Sequence, residues 1–184
     1  MSKDFVFVSG NPNKVKYLEK FLGQKVEHHN LDLPEIQSLD SVEIVSHKVR
    51  GAYKHLKRPV LVEDVSLSIN ALGGLPGPFI KFFLQAIGND GICKLVSNFD
   101  DKTAQASVNY GFYDGKKLTI MRATADGSIA PAPRGTRGHG WDPIFIHMGQ
   151  TKTQGEMSEE EYANYSARPK ATKKLKAFLE NGKN

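Results

Sequence analysis

Apolar positions recur along the chain in two periods, and the switches between them mark out the elements. Phe5-Val6-Phe7-Val8 is an uninterrupted apolar run, which reads as a buried strand. It empties into Ser9-Gly10-Asn11-Pro12-Asn13-Lys14, after which Val15, Leu18, Phe21 and Leu22 fall at helical spacing. A second strand is expected from Val26 to Leu33, closed by Pro34-Glu35. Asp40 is placed to cap a helix whose buried stripe is Val42, Val45, Val49, Ala52 and Leu56, with Pro59 as its stop. Val60-Leu61-Val62 then runs into Glu63-Asp64, which predicts a buried strand delivering carboxylates at its C-terminal end.

The middle of the chain changes character. Gly73-Gly74-Leu75-Pro76-Gly77-Pro78 predicts a tight loop leading to an apolar helix around Phe82, Phe83, Leu84 and Ile87. Ala104, Ala106, Val108, Tyr110 and Phe112 alternate, Asp114-Gly115 makes a turn, and Leu118 and Ile120 answer on the way back, an antiparallel hairpin. Trp141-Asp142-Pro143 precedes a further apolar stretch, Ile144-Phe145-Ile146. A last helix carries Ala171, Leu175, Phe178 and Leu179 and is ended by Gly182. Helices interleaved with both kinds of strand predict an α/β fold with a mixed β-sheet and flanking helices.

Composition narrows the class. The 184 residues are 39% apolar and 24% charged, which suits one globular domain over residues 1–184 with no separable linker. Cys93 is the only cysteine, so neither an internal disulfide nor a cysteine zinc site can form. Lys3 and Asp4 beside a four-residue apolar run fall short of a signal peptide, and no segment reaches membrane-spanning length. A cytoplasmic protein without a membrane partner is expected. The net charge of +5 favours anionic partners, but much of the excess is Lys170, Lys173, Lys174, Lys176 and Lys183, the solvated face of the last helix. No RNA-module signature accompanies it, and no stable nucleic-acid partner is expected.

The candidate chemistry lies where strands give way to polar residues. Small side chains in Ser9–Lys14 let backbone approach a ligand, a helix N-terminus follows with unpaired N–H groups, and Lys14 adds a cation, so the segment suits phosphate. It lacks P-loop spacing, and taken alone a strand–loop–helix with Asn and Pro is most often only a turn. Glu35 and Glu63-Asp64, read at the ends of apolar strands, offer oxygen ligands to a hard cation such as Mg²⁺. Lys48, one turn from Val45 and Ala52, and Lys81 extend the positive lining, or are lysines laid along the surface.

Five segments taken in order carry more than any one of them. Ser9-Gly10-Asn11 with Lys14, Leu33-Pro34-Glu35-Ile36-Gln37, Val62-Glu63-Asp64, Gly73-Gly74-Leu75-Pro76-Gly77-Pro78 and Gly140-Trp141-Asp142-Pro143 together resemble the Ham1-like inosine triphosphate pyrophosphatase family. The resemblance covers nearly the whole chain. It implies Mg²⁺-dependent hydrolysis of non-standard purine nucleoside triphosphates (ITP, dITP, XTP) to the monophosphate and pyrophosphate, by a homodimer whose elongated, two-lobed subunit has a central cleft. Carried over by residue, it puts Ser9, Gly10, Asn11, Pro12, Asn13 and Lys14 around the triphosphate, with Lys48 and Lys81 near it. It makes Glu35 and Asp64 metal ligands, Asp64 the group that orients or deprotonates water, and Glu63 a supporting partner. His139, Gly140, Trp141, Asp142 and Arg168 take the base, although a lone tryptophan is equally at home in a core.

The departures concern base selection. The family's phenylalanine before Gly-aromatic-Asp is His139 here, which still stacks on a purine but titrates near neutrality. Its Ser-His-Arg reads Ser166-Ala167-Arg168, and the lysine expected four residues before that serine is Tyr162. Losing a buried hydrogen bond to the base costs about 1–3 kcal/mol, roughly 5- to 150-fold in discrimination. A site aiming donors at a purine O6, as Arg168 can, rejects adenine, while guanine shares that O6. Two other readings stay open: a pyrophosphatase of broader specificity, and a non-catalytic nucleotide- or nucleic-acid-binding protein, which the acids beside the phosphate segment argue against.

Overall fold

The computed structural model describes residues 4–181. In chain order its elements are β1 (Val6–Val8), α1 (Pro12–Leu22), β2 (His28–His29), α2 (Ser41–Leu56), β3 (Val60–Ile69), β4 (Pro76–Gly77) and α3 (Ile80–Val96). There follow β5 (Thr103–Tyr113), β6 (Leu118–Ile129), β7 (Phe145–His147), α4 (Glu159–Tyr165) and α5 (Ala167–Glu180), with 3₁₀ turns at Asn70–Leu72 and Gln154–Glu156. The strands form one seven-stranded mixed sheet in the order β2-β1-β3-β5-β6-β7, with β4 paired to β3. β1 runs parallel to β2 and β3, and the β3–β4 and β6–β7 pairs are antiparallel. This is the mixed α/β architecture that the alternation of periods predicts.

Two compact units make up the described chain. The first takes in the chain up to Asp64, Val108–Arg122 and the stretch from Lys170; the second is Val65–Ser107 and Ala123–Pro169. The first unit's core is Val6 and Val8 of β1, Val45, Val49 and Ala52 of α2, and Val60 and Val62 of β3, all essentially sealed from water. Parallel pairing of Val6, Phe7 and Val8 with Val60, Leu61 and Val62 explains why both runs are continuously apolar, because each is covered on both faces.

Local signals set the helix boundaries in this unit. Asn11 caps α1, its side-chain oxygen accepting from the Asn13 N–H at 2.9 Å, with Pro12 at the first helical position, where a missing N–H costs nothing. Asp40 caps α2 as expected, accepting from the Val42 N–H at 2.8 Å. That helix ends at Leu56 because Lys57, the next residue, turns left-handed (φ 54°) with its N–H donating to the Tyr53 carbonyl at 2.8 Å, before Pro59 is reached. The buried stripe is Ser41, Ile44, Val45, Val49 and Ala52, with Val42 and Leu56 at its edges.

In the second unit α3 is kinked where Gly88 leaves helical geometry (φ 64°, ψ −174°). Its far end is held by Lys102, whose ammonium donates to the carbonyls of Val96 (2.6 Å), Ser97 (2.8 Å) and Phe99. β5 and β6 lie side by side, joined by the Asp114 turn of the first unit, whose carboxylate accepts from the Lys116 and Lys117 N–H groups at 2.9 and 2.7 Å.

Three sequence expectations give way. The strand from Val26 to Leu33 shrinks to His28–His29, since Glu27, His28, His29 and Asn30 are exposed at the sheet's edge and only two pairs form with β1. The apolar helix around Phe82 and Ile87 is not packed through those residues, which are 57% and 44% exposed; its buried side chains are Ile80, Ile92, Cys93 and Val96. β3 does not stop at Glu63-Asp64 but continues to Ile69, so the two acids stand inside a strand. The helix stop assigned to Gly182 lies outside the described residues.

Candidate active site

The first unit gathers an acid and lysine cluster on three neighbouring pieces of chain. α1 begins directly after β1, which places Lys14 over β3: its ammonium donates to the Glu63 carbonyl at 3.0 Å and lies 3.9 Å from the Glu63 carboxylate. The Glu63 side chain is fully buried and that of Lys14 nearly so, which makes this an interior charge pair. From α2, Lys48 reaches the carboxylate of Glu35 in a short ion pair. Glu35 is exposed and lies in an irregular segment, not at a strand end as the sequence suggests.

Asp64, the residue after Glu63, carries a perturbed carboxyl. Burial pushes its carboxyl up to about 6, against the pull of Lys14 and Lys48 and reinforced by the negative charges of Glu35 and Glu63. Its Oδ2 is sealed from water and has no hydrogen-bond partner among the described residues. A buried carboxylate oxygen is seldom left this way, so the atom is suited to a ligand or to a proton in transit.

The segment Ser9–Lys14 differs in one respect from expectation. The N-terminus of α1 does not present its N–H groups freely: Pro12 has none, the Asn13 N–H goes to the Asn11 side chain, and the Lys14 N–H goes to the Asn11 carbonyl at 3.1 Å. Ser9 is anchored by its N–H to the His29 carbonyl at 3.0 Å, and its hydroxyl accepts from the Asn11 N–H at 3.2 Å. What the segment offers an anion is the helix dipole and the exposed side of Gly10 to Asn13, with the charge of Lys14, itself held by Glu63, close by.

A divalent cation fits this cluster as an incomplete cage. Among the described residues no three His, Cys, Asp or Glu side chains converge as a ready metal site. Asp64 through its open Oδ2, and Glu35 once released by Lys48, are the hard oxygen donors of this cluster that would suit a divalent cation.

The second unit holds a separate polar network around Asp142. Its Oδ2 accepts from the His139 N–H at 2.9 Å and its Oδ1 from Gln154 Nε2 at 3.2 Å; Gln154 Oε1 accepts from the Ser166 hydroxyl, which lies 3.3 Å from His147 Nε2. All four side chains of this relay are buried. Burial raises the Asp142 carboxyl, opposed by the His139 N–H and by the charges of His139, Arg168 and Arg137. Gly138 makes the arrangement possible: its φ is +77°, and a Cβ there would lie 1.8 Å from Asp142 Oδ2. Arg168 is buried at the start of α5, Trp141 is half-buried, and the carbonyl of Gly140 accepts from Asn89 Nδ2 at 2.9 Å.

The sequence-predicted residues thus resolve into two groups. Ser9 to Lys14, Glu35, Lys48 and Asp64 belong to the first unit, and His139, Gly140, Trp141, Asp142 and Arg168 to the second. Lys81 joins neither network; it is exposed on the first turn of α3 with no hydrogen bond or ion pair among the described residues. Sequence reasoning missed Gln154, His147 and Arg137. The only local signal was the Thr153-Glu156 capping box that fixes the Gln154 turn.

Comparison with known proteins agrees along the chain's length. A family model described as Ham1 family matches residues 5–178. The chain is 41% identical over 186 residues to an inosine triphosphate pyrophosphatase of Schizosaccharomyces pombe, covering 99% of this chain and 98% of the relative. It is 41% identical over 180 residues to the protein of the same name from Yarrowia lipolytica, covering 95% and 94%. A solved HAM1 protein from Coxiella burnetii superposes with a TM-score of 0.81 at 25% identity, over 97% of this chain and 99% of that one. Family model, relatives and fold agree from end to end, and the chain belongs to the Ham1 family.

Proposed function

We propose that this protein hydrolyses non-standard purine nucleoside triphosphates (ITP, dITP and XTP) to the monophosphate and pyrophosphate, clearing them from the nucleotide pool. The observation that carries the reading is Asp64: a buried carboxylate raised to about 6, one oxygen without a partner, with Lys14 and Lys48 acting on it. A group poised near neutrality at a site rich in lysine is what general-base chemistry on an anionic substrate requires. The names of the relatives, inosine triphosphate pyrophosphatase, supply the substrate class.

In this reading Ser9 to Lys14, Lys48 and Lys81 are assigned to the polyphosphate, and His139 to Asp142 with Arg168 to the base. Ser9 to Asn13 approach the phosphates with backbone and small polar side chains, while Lys14 and Lys48 neutralise them, Lys48 leaving Glu35 to do so. Glu35 and Asp64 are the residues that would hold Mg²⁺, which when bound offsets phosphate charge and lowers the pKa of its water. Asp64 orients the attacking water and accepts its proton as the new P–O bond forms and pyrophosphate leaves. Glu63, buried against Lys14, keeps that ammonium aligned. Asp142, Trp141, His139 and Arg168 receive the base, and exposed Lys81 is available to the phosphates.

Residues 1–184 serve as a single nucleotide pyrophosphatase domain, and the protein works as a cytoplasmic homodimer with no stable nucleic-acid partner. No described helix is long and apolar enough to cross a membrane. Tyr162 and Ala167, in place of polar base readers, favour a second reading with broader specificity. Incubation with Mg²⁺ and ITP, dITP, XTP, GTP or ATP, with Asp64→Asn as control, decides between them. Pyrophosphate from the first three, abolished in the variant, is expected; equal turnover of all five keeps the chemistry and discards the selectivity, and no turnover refutes the function.

A further inference from the structure

We propose that Arg137 is a specificity-determining residue, a second reader of the purine's six-position, and that Tyr162 is the platform that positions it. The inference rests on the base-binding role proposed above for His139, Trp141, Asp142 and Arg168. Arg137 Cζ lies 4.3 Å from the centroid of the Tyr162 ring, so the guanidinium is stacked on an aromatic face. Among the described residues that guanidinium forms no hydrogen bond and no ion pair, which leaves its fork of donors uncommitted.

Backbone ties fix both partners into the network around Asp142. The Arg137 N–H donates to the Gly155 carbonyl at 3.0 Å, and the Gly155 N–H donates to the Asp142 carbonyl at 2.8 Å. The Tyr162 carbonyl accepts from the Ser166 N–H at 3.0 Å, so the platform is anchored to the serine of the same relay. The charge of Arg137 is felt at the Asp142 carboxyl together with that of Arg168.

The chemistry recognised by such a group is two adjacent acceptors in one plane. A purine with a six-oxo group offers O6 and N7 side by side, the pair that arginine reads bidentately in nucleic acids. Adenine offers a donor where O6 would be, which faces the fork with N–H against N–H and leaves donors unpaired. The family resemblance leads to a lysine at position 162, and the chain has Tyr162 there. The cation has not been lost: it arrives from residue 137 and lies on the ring that replaced it. Lys152 does not take this part, being engaged by Glu161 at 2.7 Å.

The test is the ratio of kcat/KM for ITP to that for ATP. Arg137→Met is expected to lower kcat/KM for ITP by about 10- to 100-fold, the loss of a charged hydrogen bond, while ATP turnover holds. Tyr162→Phe keeps the ring and the ratio, Tyr162→Leu loses both, and Arg137→Met with Tyr162→Lys regains the ratio by restoring a cation. A retained ratio in Arg137→Met, or an equal fall for both substrates, overturns the inference. Absence of turnover by the wild type counts against the proposed function alone. Calorimetric binding of ITP and ATP to wild type and Arg137→Met then gives the same ratio, whose collapse supports the inference and whose persistence refutes it.

Discussion

Replacing Asp64 by asparagine is expected to stabilise the fold while abolishing activity, and the size of the gain follows from the carboxyl's environment. The group sits at about 6 in the folded chain against an ordinary 3.8. Each pKa unit is worth about 1.4 kcal/mol, so keeping Asp64 ionised above pH 7 costs the fold about 3 kcal/mol. The shift already includes the favourable pull of Lys14 and Lys48, so the cost is net of them. A carboxyl raised by folding contributes stability below 3.8 and loses it as pH rises through about 6, because the folded state holds the proton longer. Wild type should therefore lose stability relative to Asp64→Asn between pH 4 and pH 7 and run parallel to it above. Urea unfolding in EDTA at pH 4 and pH 8 measures this directly. At pH 8 the variant should gain about 3 kcal/mol, or about 6–12 °C in Tm for a chain of this size, and at pH 4 close to nothing. A variant no more stable than wild type at pH 8 refutes the desolvation of Asp64 and with it the physical basis for its role as base.

Three further outcomes follow from the two networks. Lys14→Met leaves Glu63 buried without its ammonium and should destabilise the fold by about 3 kcal/mol in urea unfolding, besides weakening triphosphate binding. Gly138→Ala forces a Cβ against Asp142 Oδ2 at a left-handed φ, and should raise the KM for ITP at least tenfold while Tm falls by several degrees, read from initial rates and a thermal melt. Removal of divalent ions with EDTA should stop pyrophosphate release, and Mg²⁺ should restore it, since no three ligating side chains among the described residues close around an ion.

The parts of the fold legible in the sequence are those where one residue's own chemistry decides the outcome. Val6–Val8 and Val60–Val62 read as strands because burial on both faces needs unbroken apolar runs, and Asp40 read as a cap because only its side chain could satisfy the Val42 N–H. Glu63-Asp64 misled because acids ordinarily end a buried strand. β3 continues through them because Lys14, 49 residues earlier, covers Glu63, and no local pattern carries that information. The exposed face of α3 misled in the opposite direction, since Phe82 and Ile87 are apolar without being core. Asp64, Lys14 and Asp142 are singled out in the sequence by type and motif, and the structure places the first two in one cluster and Asp142 in a separate network. The relay from Asp142 through Gln154 and Ser166 to His147, and the stacking of Arg137 on Tyr162, join residues 12 to 25 positions apart and exist only once the chain is folded.

The Lys102 clamp at the end of α3 has a consequence for how the protein comes apart in acid. Its three acceptors are backbone carbonyls, which do not titrate, so acid removes none of them. The start of α4 is tied instead by Glu161, whose carboxyl is held below its usual range by Lys152 and the Ser158 N–H. That tie is present above the ordinary carboxyl pKa and disappears as pH falls through the lowered one. In hydrogen exchange on acidification, the first turn of α4 should lose protection while the last turn of α3 keeps its own.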